Sequence, residues 1–423
     1  MSILQFDNLN ALQPGSVVFV TTSTPFSGQA EVFVLDELAT YREISTNFWV
    51  MPARRRERRP AMLALESGLL KHVVNPALLS FAIGWGALKM LCKRPLAVTQ
   101  QICGILRHSG GLRNLVNNLV AFPKALWLAE FVSSNGVEHI HAYWLSHTAT
   151  MAMVAAKLTN VPWSGTGYRW DIESSNYMRA KFASAAFLRC ADELGSNDML
   201  RLRNEFGTDT TIFMVRTGVH LPARDSWSHT PVDINRFVCA GAFVPKKQQE
   251  LLVRAFARHL KLHPWARLEL IGDGPLRQRV AIVVKELGIE SAVVFRGTLP
   301  LEQLRAVLRE RPISVLPSIV TESAEQEGIP VVLIEAMANG SPIVSTPTGS
   351  ISALVLEQCG LLVEPGNVES LANGMALVAA EPHIAEAWAD RAYARLGAEF
   401  DGKVCVRQLA ELIASSRQKV AAP

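Results

Sequence analysis

The sequence predicts an α/β protein built from two Rossmann-like halves, and three observations carry that prediction. Residues 16–22 (SVVFVTT) are a continuous β-branched and aromatic run after a Pro-Gly pair, followed by a turn-rich loop and the helically spaced EVFVLDELATY. Strand, Gly-containing loop and helix in that order open a Rossmann-like unit. The same order returns at 237–241, where a strand, the loop GAFVPKKQQ and a helix over 250–260 follow one another. Between the halves, ARDSWSHTPVD (223–233) is polar, Pro-containing and aperiodic, and reads as a linker. A chain of 423 residues sets a prior of two or three domains, and a hydrophobic fraction of 49% suffices for large cores.

Composition narrows the function classes. A net charge of +4 does not argue for nucleic acid, but clustered charge would suit an anionic membrane surface. The six cysteines are scattered, with no C-x-x-C and no metal spacing, and read as small buried residues of a reducing compartment. The start MSILQFDNLNALQPG has no basic region followed by a long apolar run, so no signal peptide is expected.

In the first half, the loop STPFSGQ holds only Gly28 and is therefore no dinucleotide fingerprint. Glu31 and Glu37 follow it and, on spacing alone, suit a solvated helix face. Arg54, Arg55, Arg56, Arg58 and Arg59 form a basic run, and 73–92 is apolar but broken by Asn75, Pro76 and Lys89. A helical hairpin inside the first domain is the first reading of that stretch, and a basic, amphipathic membrane-surface patch is a compatible second. HIHAYW (139–144) reads as a strand end, where His141 either lines a cleft or is structural. A helix over 148–159, a strand opened by Val161-Pro162 and the segment GTGYRWDIE (165–173) come next. Residues 195–202 suit a helix start capped by Ser196 or Asn197, and 213–219 suit a closing strand and turn.

In the second half, Lys247 stands near a helix N-terminus, where position alone favours a solvated lysine. The strand 268–272 leads into GDGPLR, which has Arg277 where a dinucleotide motif needs its third glycine. A strand at 293–297, a strand at 313–316, the stretch EGIPVVLIEAMANG (327–340) and a strand at 342–345 follow. Then come GLLVEP (360–365), a helix over 368–380 and a helical tail broken at 400–403. The 327–340 stretch is the most informative. Pro330 suits a first helical turn and Gly340 a helix stop. The free N–H groups of such a helix start suit a phosphate, with Glu327 in the loop before it and Glu335 further along. A solvated glutamate beside an ordinary capped helix fits the same spacing.

The run PS…EQEGIPVVLIEAMANGSPIVST resembles the C-terminal signature of the family-four retaining glycosyltransferases, which have the GT-B fold, and most of all bacterial exopolysaccharide transferases of the colanic-acid type. The resemblance extends with gaps over most of the chain and is densest over 237–366. It implies two Rossmann-like domains facing a central cleft: 1–222 for the acceptor, a linker at 223–233, 234–382 for the nucleotide sugar, and helices over 383–423 returning to the first domain. It implies transfer of a hexose from a nucleotide-diphosphate sugar to a saccharide or lipid-linked saccharide, without metal or cofactor and without nucleic acid. The expected location is cytoplasmic, with peripheral contact to an anionic membrane. Implied roles are Glu327, Asp171 and Tyr168 at the reacting sugar; Lys247, Gly241, Gly328, Ile329, Pro330 and Glu335 on the donor, with Glu335 on the ribose; and Gly28, Glu31 and His141 along the acceptor cleft. The pattern departs from the family at Tyr168 (a histidine there), Ala242 (an arginine), Gln248 (a glycine) and Ala353 (a glutamate). Tyr168, Ala242 and Ala353 motivate the alternative of a catalytically degenerate GT-B protein acting as a binding or assembly partner.

Overall fold

The computed structural model describes residues 15–26, 31–54 and 60–421. They form two compact units: the chain up to Gly218 joined by the segment from Lys403 onward, and Val219–Gly402.

The first unit is a six-stranded sheet, β1 (Val17–Thr21), β2 (Phe48–Pro52), β3 (His139–Tyr143), β4 (Trp163–Gly167), β5 (Phe187–Cys190) and β6 (Ile212–Met214), in the order β2-β1-β3-β4-β5-β6. Every pairing is parallel. Val17, Val18, Phe19 and Val20 all have zero exposure. A parallel strand covered on both faces needs the unbroken apolar run that the sequence has there, and each such side chain contributes about 1.5–3 kcal/mol of burial. The strand order reverses between β1 and β3, which makes their C-terminal ends a crevice.

Between β2 and β3 the chain forms the helices Phe81–Lys93, Pro95–His108 and Leu112–Asn135, in place of the expected hairpin over 73–92. The Ser80 hydroxyl accepts from the Ile83 amide at 3.4 Å and starts the first of them, while Pro95 opens the second, where a missing N–H costs nothing. The third is anchored by Lys124, whose Nζ donates to the Pro52 carbonyl (2.6 Å) and to Asn75 Oδ1 (2.9 Å).

The second unit has β7 (Asp233–Ala240), β8 (Arg267–Ile271), β9 (Val293–Gly297), β10 (Pro312–Leu316), β11 (Ile343–Ser345) and β12 (Leu361–Leu362), ordered β12-β11-β10-β7-β8-β9 and all parallel. Its order reverses between β7 and β10. Residues 223–233, expected as a linker, pack onto this unit: Trp227 is 1% exposed and lies under the Arg311 guanidinium, 4.9 Å from the ring centroid. One large aromatic suffices to anchor a segment that has no periodicity, although most of its other residues, Val232 apart, stay at least partly exposed. The return to the first unit also differs from the expectation that it begins at 383. The helix Pro382–Glu399 buries Ala385, Ala392 and Leu396 in the second unit's core. The last helix, Gly402–Ala421, joins the first unit, with Cys405, Val406, Leu409 and Ile413 packed beside Val17 and Phe19.

Candidate functional sites

In the second unit the candidate residues gather where the strand order reverses. β7 ends at Ala240, Gly241 opens the following loop, and a short 3-10 turn, Pro245–Lys247, precedes the helix Gln249–Leu262. β10 ends at Leu316, and the chain after it carries Ser318 and Glu327. Lys247 Nζ sits 3.0 Å from Glu327 Oε1, Lys246 Nζ lies 4.0 Å from Oε2, and the Ser318 hydroxyl donates to Oε1 at 3.4 Å. The two partnered side chains are 13% and 7% exposed. A carboxylate so enclosed needs a counter-charge, and the lysines supply it. Helix Val331–Ala338 begins right after Gly328, Ile329 and Pro330, with Pro330 as its N-cap instead of a first-turn residue, because its ψ of 117° is extended. The Leu333 amide donates to the Pro330 carbonyl at 3.0 Å, which leaves the Val331 and Val332 amides without intrahelical acceptors at the Glu327 end. Gly340 has φ +72 and stops the helix as its position suggested.

Glu335, expected on the ribose, is engaged within the protein. Its carboxylate is 2% exposed and both oxygens are engaged by Arg305, at 2.9 Å from Nε and 2.8 Å from Nη2. Arg305 comes from the helix Leu301–Arg309. The fork-to-fork geometry of arginine with carboxylate is strong and fixes orientation, so Glu335 holds the 331–338 helix against its neighbour.

Sequence reasoning missed three supports of this site. Arg311 is fully buried and donates from Nε to the Gly340 carbonyl (2.9 Å) and from Nη1 to that of Thr230 (2.7 Å). Gly349, in TPTGS, has φ +59, and a Cβ there would stand 1.9 Å from the Glu327 carbonyl oxygen. Thr348 Oγ1 donates to the Ser318 carbonyl at 2.9 Å. The Thr-Gly-Ser turn was the available signal, since a glycine with positive φ marks a close backbone approach.

The first unit has a cavity of about 820 Å³ at its own strand reversal, lined by Thr22 and Ser23 after β1, Trp144 and Ser146 after β3, and Glu31, Arg54, Asn117 and Asp171. Glu31 is buried and not on a solvated face. Its carboxylate accepts from the amides of Thr22 (2.9 Å), Ser23 (2.7 Å) and Thr24 (2.7 Å) and from Trp144 Nε1 (2.8 Å). It therefore shapes the loop that forms one wall. Glu37 is likewise buried, in an ion pair with Arg189.

Asp171 is 1% exposed; Oδ2 accepts from the Tyr168 amide at 3.2 Å, and Oδ1 has no hydrogen-bond partner among the described residues. Burial pushes its carboxyl up to about 7, against the pull of hydrogen bonds and of Lys181. Burial lowers Lys181 to about 7, and its Nζ donates to the carbonyls of Leu145 and Ser146 at 2.7 and 2.9 Å.

Two expected contacts with substrate are corrected. Tyr168 packs on Phe33 and Trp144 at ring-centroid distances of 5.1 and 4.7 Å, and its hydroxyl is enclosed, away from the cavity lining. Burial and the Glu37 charge push its phenol well up, so it carries no base function. His141 has zero exposure, with Nδ1 hydrogen-bonded to Ser164 Oγ (2.7 Å) and Nε2 to Thr166 Oγ1 (2.9 Å). Burial holds it well below the usual imidazole range, which makes it a neutral core residue. Gly28 lies outside the described residues, as do Arg55, Arg56, Arg58 and Arg59. Among the described residues no three His, Cys, Asp or Glu side chains converge as a metal site.

Known proteins resemble this chain in sequence and in fold. Residues 225–395 fit the family model described as glycosyl transferases group 1. An exopolysaccharide phosphotransferase of Streptomyces coelicolor is 32% identical over 171 residues, 40% of this chain and 17% of the relative. A candidate colanic acid biosynthesis glycosyltransferase of Salmonella typhimurium, WcaL, is 30% identical over 209 residues, 45% of this chain and 51% of the relative. The chain thus spans about half the length, or less, of these curated relatives. Among solved structures, Anabaena HepE in complex with UDP superimposes with a TM-score of 0.64 at 15% identity, covering 95% of this chain and all of that one. A Thermosynechococcus elongatus sucrose-phosphate synthase gives 0.64 at 17% identity, covering 96% and 100%. The fold is that of the GT-B glycosyltransferases.

Proposed function

We propose that this chain is a retaining glycosyltransferase that moves a hexose from a nucleotide-diphosphate sugar to a sugar hydroxyl, in exopolysaccharide or other surface-polysaccharide assembly. The observation that carries the reading is the Lys247–Glu327 pair, enclosed at the strand reversal of the second unit and next to the start of the 331–338 helix. In the reaction the anomeric C–O bond to the diphosphate breaks, and charge builds on the departing β-phosphate. Lys247 turns from Glu327 to that phosphate, and the Val331 and Val332 amides after Pro330 add donors preorganised for it. Glu327, released from Lys247, accepts hydrogen bonds from the donor sugar's hydroxyls. The acceptor hydroxyl forms the new bond on the same face, giving its proton to the departing phosphate oxygen. With a lysine and helix amides on the phosphate, the chemistry needs no metal. Asp171, whose carboxyl burial pushes up to about 7, positions the acceptor in the first unit's cavity. Glu335 acts through Arg305, by fixing the helix. The family match over 225–395 and the UDP complexes of HepE support the nucleotide-sugar donor.

A second reading, a degenerate GT-B protein that binds donor without turnover, draws on one observation: the position that the family gives to a histidine holds Tyr168, with its hydroxyl enclosed. The experiment is a panel of nucleotide sugars with purified protein. Thermal protection by one donor, and release of its nucleoside diphosphate with a saccharide acceptor, supports transfer. Protection without release for every acceptor supports the degenerate reading. Full transfer activity in Glu327→Ala overturns the assignment of the site.

A further inference from the structure

The helices Phe81–Lys93, Pro95–His108 and Leu112–Asn135 expose more apolar surface than their own unit covers. On the first, Phe81, Trp85 and Leu88 follow the i, i+4, i+7 spacing of one helix face and are 83%, 50% and 49% exposed. The opposite face is apolar too: Ile83, Gly86 and Met90 are buried, and a Cβ on Gly86 would come within 2.6 Å of Trp127. Apolar side chains on two faces of one helix call for cover on both, and the fold supplies it on one. The third helix repeats the pattern at its start, where Leu112, Val116, Leu119 and Val120 are 77%, 50%, 39% and 45% exposed. That helix is long and apolar enough to cross a membrane by length and composition, but half of its most apolar window is buried within the protein. It is therefore a core helix with one uncovered face.

The charge around this face is of one sign. No Asp or Glu occurs between Glu66 and Glu130, while Lys89, Lys93, Arg94, Arg107 and Arg113 all do, and all five are exposed. Lys89 and Lys93 reach Glu130 at 3.4 and 2.9 Å, at the edge of the stretch. Exposed apolar side chains inside a collar of cations, with Phe81 and Trp85 stacked at 6.0 Å, match the acyl–headgroup boundary of an anionic bilayer. A second copy of this chain would bring like charges together, with no carboxylate within the stretch to pair them.

We infer that these three helices dock on an anionic lipid bilayer. The exposed start of the third helix borders the first-unit cavity, because Leu112 and Arg113 both line it and are exposed. An acceptor anchored in the bilayer by its lipid would thus present its sugar directly to the cavity. This deepens the proposed function, and rests on it only for the identity of the acceptor.

The test is flotation of the full chain with vesicles of phosphatidylcholine alone and with phosphatidylglycerol added, alongside thermal protection by the nucleotide sugar on the same preparation. Binding to the anionic vesicles and little to the neutral ones is expected. Phe81→Ser/Trp85→Ser should abolish it, and Arg94→Glu/Arg107→Glu should weaken it by about an order of magnitude or more, both with donor protection unchanged. Equal binding to both vesicle types, wild-type binding by both variants, or a wild-type protein that ignores vesicles and self-associates through Phe81 and Trp85 overturns the inference. Loss of donor protection in every protein, with vesicle binding intact, counts against the transferase reading and leaves the membrane face standing.

Discussion

Replacing Lys247 by alanine tests the donor site most directly, because the structure sets both the cost and the readout. At 3.0 Å and an effective dielectric near 20, the attraction between Lys247 and Glu327 is about 5.5 kcal/mol before desolvation. Removing one partner of a buried pair costs about 3–5 kcal/mol when the other charge is left alone. Glu327 is not left alone, since Lys246 lies at 4.0 Å and Ser318 at 3.4 Å. The expected loss is therefore about 2 kcal/mol, or ~4–8 °C in melting temperature for a unit of this size. Lys247→Ala/Glu327→Ala should be less unstable than the sum of the single variants by about 1–2 kcal/mol. Donor affinity should move differently. A charge-assisted contact to phosphate is worth about 1.5–3 kcal/mol, so titration calorimetry with the nucleotide sugar should give a ~10–100-fold weaker Kd for Lys247→Ala. Additive single variants would refute the coupling. A donor Kd within about twofold of wild type would refute the phosphate role, even if the stability loss appeared.

The other predictions concern what holds the sites in shape. Gly349→Ala places a Cβ 1.9 Å from the Glu327 carbonyl oxygen at φ +59; it should cost about 2–4 kcal/mol and abolish donor protection in a thermal-shift assay. Arg305→Met strands the buried Glu335 and should cost about 3–5 kcal/mol, while Arg305→Met/Glu335→Met should recover most of it, as read by denaturant titration. Asp171 has a folded pKa raised to about 7 from 3.8. The native state therefore binds more protons than the unfolded state between those values, and the stability tied to this group is full below pH ~4 and lost as pH rises through ~7. Asp171→Asn should melt close to wild type at pH 4 and above it at pH 8. A stabilising effect larger at pH 4 than at pH 8 would contradict the buried, neutral carboxyl.

What was legible in the sequence was whatever depends on a local pattern. The strands 16–22 and 313–316 announced themselves as apolar runs because parallel strands are buried on both faces. Glu327 and the 331–338 helix could be read because proline, glycine and two carboxylates stand at fixed spacing. Long-range partnership was not legible. Glu31 and Glu37 have the spacing of a solvated helix face, yet each is buried by donors far away in the chain, Trp144 and Arg189 among them. Glu335 acquired its role from Arg305, thirty positions upstream, and no helical period connects those two. Trp227 made a packed segment of an apparent linker. His141 looked like a cleft histidine only because a strand of alternating polar residues gives no hint of the Ser164 and Thr166 hydroxyls on the next strand.

The two candidate sites solve one physical problem in opposite ways. In the second unit, a carboxylate and a lysine are buried together and neutralise each other until an anion arrives. A diphosphate can then take the lysine while sugar hydroxyls take the carboxylate, so no isolated charge is buried at any stage. In the first unit, the Oδ1 atom of Asp171 has no such partner, and the carboxyl meets burial by holding its proton up to about neutral pH. A pre-paired site suits a ligand that carries formal charge, and an unpaired, protonatable oxygen suits a neutral hydroxyl that can donate to it or accept from it. On this reasoning the donor side should lose affinity with added salt, because its contacts are ionic and partly exposed to screening, while the acceptor side should respond to pH near 7 and little to salt. Measuring the donor Kd and the acceptor KM across both variables separates the two. An acceptor KM that follows salt and ignores pH would mean that Arg54 and Arg113, and not Asp171, govern what the cavity holds.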